Sequence, residues 1–132
     1  MSYSFDFDPT HAILRCRFDG AVSDQTLREF FPAARQYVAK TAPRAGIVDF
    51  SAVTSFEVNA DTVRELAKLP PVLPEQRYPC FIVAESPPIF GMMRMFELVG
   101  LDARPNLHVV RSLKEVYAIL GVPEFKFEPV TA

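Results

Sequence analysis

The sequence lacks any apolar run near the ~18 residues that a membrane span needs, so a spanning helix is not expected. Its opening segment, MSYSFDFDPTH, has neither the basic start nor the apolar core of a secretory signal, and a cytoplasmic location is expected. A basic stripe is also missing. The 14 basic and 16 acidic side chains leave a net charge of −2, which argues against a nucleic-acid partner. Cysteine is scarce: Cys16 and Cys80 both sit in apolar stretches and read as reduced core thiols rather than a disulfide. His11 and His108 show no ligand spacing with either cysteine, so no metal site is expected. There is no G-x-S-x-G elbow and no Gly-rich phosphate loop, and no cofactor is expected. Asp49 and Glu85 would make a carboxylate pair on neighbouring strands, but two acids alone do not make a mechanism. No catalytic residue is assigned, and the chain is expected not to be an enzyme.

What is present suits one folded domain. Hydrophobic residues make up 49% of the 132 positions, enough to build a core and to argue against disorder. The 12 prolines fall mostly between periodic segments and punctuate short elements. Tyr3 to Asp8 alternates aromatic and polar residues, as a half-covered strand does, and Ala12 to Phe18 alternates again. A tight turn at Asp8-Pro9-Thr10-His11 makes the two an antiparallel hairpin, which Asp19-Gly20 ends.

Ser23 is a plausible helix cap, followed at helical spacing by Leu27, Phe30, Phe31, Ala34 and Val38. Pro32 lies inside this pattern and predicts a kink or restart at Phe31. Ala45 to Phe50 reads as a strand buried on both faces, and Asn59 as the cap of a short helix burying Val63, Leu66 and Ala67. After a proline-rich loop, Cys80 to Glu85 is a second buried strand. Pro87 opens a helix whose apolar positions are Ile89, Met92, Met93, Phe96 and Val99. Asn106 to Val110 is a last buried strand. Ser112 and Glu115 then form an S-x-x-E capping box for a final amphipathic helix.

Strands alternating with helices imply a mostly parallel sheet with right-handed crossovers. The fold class is therefore α/β: a mixed sheet of about five strands with an N-terminal antiparallel hairpin and about four helices. The domain is read as residues 1–123, with 124–132 as a tail. That tail alternates aromatic and charged residues, which suits an added strand or a cover for an apolar patch. The aromatic residues of hairpin and tail exceed what so small a domain readily buries, so a homodimer is also expected.

The element order and the segment IVDFSAVTSFEVNADTVREL resemble the STAS domain, the fold of bacterial anti-sigma factor antagonists. Asp49-Phe50-Ser51-Ala52-Val53 matches the family's D-[LF]-S-x-V signature. MRMFELVGL followed by HVVRSLKEVYAIL is similar to its last helix, strand and helix. The resemblance spans about Tyr3 to Val122. It implies a protein-interaction module in bacterial regulation, with an anti-sigma factor or related kinase as partner. It also implies a partner surface between Ser51 and Thr62, comprising Ser51, Ser55, Glu57, Asn59, Asp61 and Thr62. Members regulated by phosphorylation carry D-S-S/T-G at the start of the second helix. Here Glu57-Val58-Asn59-Ala60 stands there, and the amide of Asn59 cannot accept phosphate. Ser55 and Thr62 are the neighbouring hydroxyls.

Two further readings come from the sheet itself. Open α/β sheets usually place ligands at the carboxyl ends of their strands, where Asp49, Glu85, Ser86, Arg111 and Ser112 are expected to gather. They form either a polar cleft with helix N–H groups facing an anion or a set of ordinary caps. The alternative function is a small-molecule or lipid-binding domain of CRAL-TRIO-like topology. The Pro70–Pro79 loop and the methionine helix would then line an apolar pocket, and a deep apolar cavity would favour that reading.

Overall fold

The computed structural model describes residues 2–131. Strands β1 (Tyr3–Asp8) and β2 (Ile13–Ser23) form an antiparallel hairpin in which Tyr3 faces Phe18 and Asp8 faces Ile13. The chain then runs through α1 (Asp24–Thr41), β3 (Ala45–Glu57), α2 (Ala60–Ala67), β4 (Cys80–Val83), α3 (Pro87–Val99), β5 (Leu107–Val110) and α4 (Leu113–Leu120). A two-residue strand, β6 (Glu128–Pro129), adds to β1. The sheet therefore has six strands, ordered β5-β4-β3-β2-β1-β6, where about five were expected. Strands β2 to β5 are mutually parallel. No helix among the described residues is long and apolar enough to cross a membrane.

This order dictates the layers. From β2 to β5 each crossover steps the same way across the sheet, and right-handed crossovers then put α1, α2 and α3 on one face. Phe18, Phe50, Ile82 and Leu107 turn toward that face and pack with Leu27, Phe31, Leu66 and Met93. The alternate residues Ile13, Ile47, Phe81 and Val83 turn to the other face, where Val116 of α4 meets them. Helix α4 covers only part of this second face, and the tail supplies the rest. Phe125 packs 4.5 Å from the Tyr117 ring, and the Arg15 guanidinium sits 3.8 Å over Phe127. The aromatic surplus that suggested a dimer is thus taken up within the chain.

Three elements differ from expectation. Strand β2 continues through Gly20 to Ser23, because Gly20 takes φ +63° and absorbs an irregularity in register with β3 instead of ending the strand. Strand β3 likewise continues past Phe50 to Glu57. Helix α1 is unbroken through Pro32. The donor that Pro32 lacks would have met the carbonyl of Arg28, and both residues are exposed, so that carbonyl is left on the solvent side of the helix. The apolar stripe of Leu27, Phe31 and Ala34 holds both halves of the helix to one core.

Local capping is strong where the chain changes direction. Ser23 Oγ accepts the Thr26 N–H at 3.3 Å, and Thr26 Oγ1 accepts the Ser23 N–H at 3.2 Å. The far end of α1 is less favourable, since Ala42 takes the left-handed conformation at φ 49°. That region costs a residue with a side chain about 1 kcal/mol, and glycine adopts it freely. Ala42→Gly is expected to raise the unfolding free energy by about 1 kcal/mol in a urea titration. A fall in stability would mean that the methyl group packs better than its backbone sits.

Candidate functional site

Strands β2 and β3 run past the rest of the sheet. Strand β4 pairs with Gly46–Asp49 alone, so from Ser51 onward β3 has only β2 beside it. The segment from Ala52 to Glu57 pairs with Asp19–Ser23 as a two-stranded ribbon, with one edge of β3 left outside the sheet's ladders. Its first donor is consumed locally, as Asp49 Oδ1 accepts the Ser51 N–H at 2.9 Å. Ser51, Thr54 and Glu57 are exposed and Ser55 is half-buried.

The ribbon leads directly into α2. Asn59 Oδ1 accepts the Asp61 N–H at 2.9 Å, and Asp24 Oδ1 accepts the Asn59 N–H at 2.9 Å, which ties the start of α2 to that of α1. Asn59 and Asp61 are exposed, and Asp61 pairs with Arg64 at 2.8 Å. An exposed pair of this kind contributes little to stability, yet it offsets the acid's charge. Thr62, which the resemblance places in the partner surface, is 4% exposed, with Arg28 Nη2 3.4 Å from its hydroxyl. It lies on the same helical face as Leu66, which turns it inward.

At the carboxyl edge, the register does bring the expected residues to one end. Asp49 is level with Val83, and Val83 with Val110, so Glu85 and Arg111 follow the ends of adjacent strands. Part of their chemistry is engaged within the chain. Ser112 Oγ accepts the Glu115 N–H at 3.4 Å, while Glu115 Oε2 accepts N–H groups from Ser112 at 3.1 Å and Arg111 at 2.6 Å. The N–H groups of Arg111 and Ser112, just before α4, already hold a carboxylate. Ser86 makes no side-chain capping bond, and Pro87 and Pro88 have no N–H to offer at the start of α3. The Arg111 guanidinium lies 4.1 Å over the Phe90 ring. None of these residues lines the apolar cavity that lies between the sheet and the helices.

That cavity opens at the opposite, amino edge of the parallel strands. It has a volume of about 140 Å³ and lies between the sheet and the helical layer under the Pro70–Pro79 loop. Leu14, Phe31, Gly46, Ile82, Met93 and Leu107 are among its walls, and Val72, Leu73 and Tyr78 of the loop close over it. Cys80 also lines it. Burial pushes this thiol up to about 11, with the Arg104 guanidinium working in the opposite direction, so it stays protonated and unreactive at neutral pH. Burial pushes Cys16 up as well, and both cysteines are unbridged.

Arg104 is the charged wall of this cavity. Its Nη1 donates to the Ala67 carbonyl at 2.9 Å and its Nη2 to that of Leu69 at 2.8 Å, at the end of α2. Sequence reasoning anticipated the loop and the methionine helix as pocket walls but not Gly46 or Arg104. A lone glycine inside the apolar run AGIVDF was the available signal for the first, since it weakens a strand unless space is wanted there. For Arg104 there was no local signal, because its partners are more than 30 residues away. Among the described residues no group of three or more His, Cys, Asp or Glu side chains is placed to hold a metal ion.

No family model matches the sequence, and no curated protein does. Among solved structures, the chain is similar to the anti-sigma factor antagonist SpoIIAA in its unphosphorylated form. The TM-score is 0.59 and the identity 12%, over 92% of this chain and 99% of that one. At this identity the likeness concerns the fold. The mixed sheet, the N-terminal hairpin and the four helices are thus those of a STAS-like domain, the fold of an anti-sigma factor antagonist.

Proposed function

We propose that this domain is a non-enzymatic, STAS-type interaction module acting in bacterial regulation in the cytoplasm. Its partner is a protein of the anti-sigma factor or related kinase class, and its partner-facing surface is the outer part of β3 with the start of α2. The observation that carries this reading is the ribbon itself. Ser51, Glu57, Asn59 and Asp61 are exposed along a strand edge that continues into a capped helix start. An open edge offers main-chain hydrogen bonds, and the side chains beside it supply selectivity.

In this proposal the surface is not switched at position 59. The amide of Asn59 is spent on capping α2 and offers no hydroxyl. With Thr62 buried, Ser55 is the neighbouring hydroxyl left for any phosphate control. The test uses an anti-sigma kinase that binds the chain. Glu57→Lys with Asp61→Lys is expected to weaken binding more than tenfold, or about 1.4 kcal/mol. Asn59→Ser is expected to gain phosphate transfer that the native chain lacks. If charge reversal leaves affinity unchanged and Asn59→Ser gains nothing, the partner surface is elsewhere.

A second reading, binding of a small apolar molecule, is supported by the cavity at the amino edge. Its walls are almost wholly apolar, and it lies at the other end of the strands from the β3–α2 surface. The two readings are compatible in one molecule and can be tested separately.

A further inference from the structure

Size and charge together restrict what the cavity can take. A volume of about 140 Å³ is close to that of an apolar cavity of ~150 Å³ that accepts benzene. It therefore suits one ring or a short chain of roughly six to eight carbons, and it is too small for a two-chain lipid. The space also has a structural cost. Gly46 occupies the middle of the sheet and faces the cavity, where a Cβ would meet Cys80 Sγ and Leu73 Cδ1 at 3.5 Å and the Leu14 carbonyl oxygen at 4.0 Å, all ordinary contacts. A larger residue there would strengthen the strand and narrow the space.

The polar end of the ligand follows from the arginines. Arg104 is half-buried, and no carboxylate among the described residues lies within ion-pair distance of it. Its partners are the neutral carbonyls of Ala67 and Leu69 and, at 3.5 Å, that of Pro70, and a guanidinium has five donors, so some remain for a ligand. Arg35 stands beside it, donating to the same Pro70 carbonyl at 3.1 Å, and among the described residues it too has no acid partner. The acid nearest in the lining, Glu75, is exposed and paired with Arg77 at 3.5 Å. A guanidinium in the wall of an apolar cavity, with no counter-ion among the described residues and a second guanidinium behind it, matches a molecule with one negative end.

We propose that the cavity binds a compact monocarboxylate: a medium-chain or aryl-substituted acid whose apolar body fills the space below Leu73 and whose carboxylate meets Arg104, with Arg35 adding to the local positive potential. This rests on the second reading above and adds the ligand class to it. A carboxylate suits a guanidinium because two parallel N–H···O bonds match its shape. A neutral chain of equal length gains the same burial without that pair.

The test is calorimetric titration of the full chain with octanoate, 1-octanol and palmitate. Octanoate is expected to bind saturably and at least tenfold more tightly than 1-octanol, with palmitate no tighter than octanoate. Arg104→Gln retains donors for the α2 carbonyls. It should lower octanoate affinity about tenfold and leave that of 1-octanol unchanged, and Arg35→Gln should have a smaller effect of the same kind. Gly46→Val should abolish binding of both while raising the melting temperature, which separates a filled cavity from a misfolded chain. Equal affinity for octanoate and 1-octanol in the native chain would overturn the carboxylate assignment and leave the apolar-ligand reading standing. Absence of binding by all three probes would overturn both. That comparison needs only the native chain, so it holds even if Arg104→Gln does not fold.

Discussion

Replacing Phe18 by alanine is expected to lower the unfolding free energy by about 3–5 kcal/mol, a large part of the ~5–15 kcal/mol that holds a typical domain together. Phe18 is fully buried at the centre of the aromatic layer. Its ring stacks on Phe50 at 4.9 Å and lies 5.5 Å from Tyr3 and 5.6 Å from Phe30, so it joins β1, β2, β3 and α1. Its removal takes away both the buried area and the contacts of these neighbours. Because Phe18 also borders the existing cavity, the new void would merge with it, and the surrounding rings cannot close over both. The upper part of the range is therefore expected. Urea titration measures it, and a loss below about 1.5 kcal/mol would mean that the layer collapses to fill the site.

The second large effect belongs to Asp8, a carboxylate with no exposed surface. Its Oδ1 accepts N–H groups from Thr10 at 2.9 Å and His11 at 3.2 Å. Its Oδ2 lies 2.9 Å from His11 Nδ1 and accepts the Lys126 N–H at 3.3 Å. An ionised carboxylate only accepts, so the imidazole proton must sit on Nδ1. Desolvation pushes the Asp8 pKa up, but the hydrogen bonds from the His11 side chain and from the backbone of His11 and Lys126 outweigh it. The net result is below the ordinary aspartate value of 3.8.

The sign follows from that shift. A group with a depressed folded-state pKa contributes stability that is fully present above its unfolded value and lost as pH falls through the folded one. Acid should therefore loosen the β1–β2 turn and the tail together below pH 3.8. Asp8→Asn should imitate this at neutral pH. One oxygen becomes an NH2 group that faces a donor, with a cost of about 2 kcal/mol for bonds to a charged acceptor. Amide exchange at Lys126 and Val130 should accelerate, since the tail loses its anchor beside β6. Unchanged exchange at Lys126 would show that Phe125 and Phe127 hold the tail unaided.

What sequence reasoning could read was periodicity and end signals. The alternation of Tyr3, Phe5 and Phe7, the helical stripe of Leu27, Phe31 and Ala34, and the Ser112–Glu115 box are patterns within a few residues, set by backbone geometry and local hydrogen bonding. Together with the alternation of element types, they were enough for the α/β class and for the likeness to a STAS domain. The outer ribbon escaped because Ala52, Thr54 and Glu57 face solvent, so no apolar alternation marks them as strand. Only pairing with β2 through the Gly20 irregularity makes them one. That Pro32 leaves α1 undivided has a similar reason: its penalty depends on whether the orphaned carbonyl faces water, and tertiary packing decides which side of α1 that is.

The candidate sites divide along the same line. Asn59 as the cap of α2 was legible, because a capping side chain reaches only the next turn. The inward turn of Thr62, the occupation of the α4 start by Glu115 and the tie between Asp8 and the tail depend on which groups meet across the fold. The cavity was the least legible feature, since empty space leaves no residue pattern beyond Gly46. Arg104 in its wall and Arg35 behind it, which meet at the Pro70 carbonyl, lie 69 positions apart in the chain. Periodicity and end signals were enough for most helices and strands and for their caps, the outer ribbon excepted, because those rest on short-range interactions. Only the tertiary structure decided which polar groups are satisfied, which are left over and where the core stays unfilled, because each of these is a sum over neighbours that folding alone brings together.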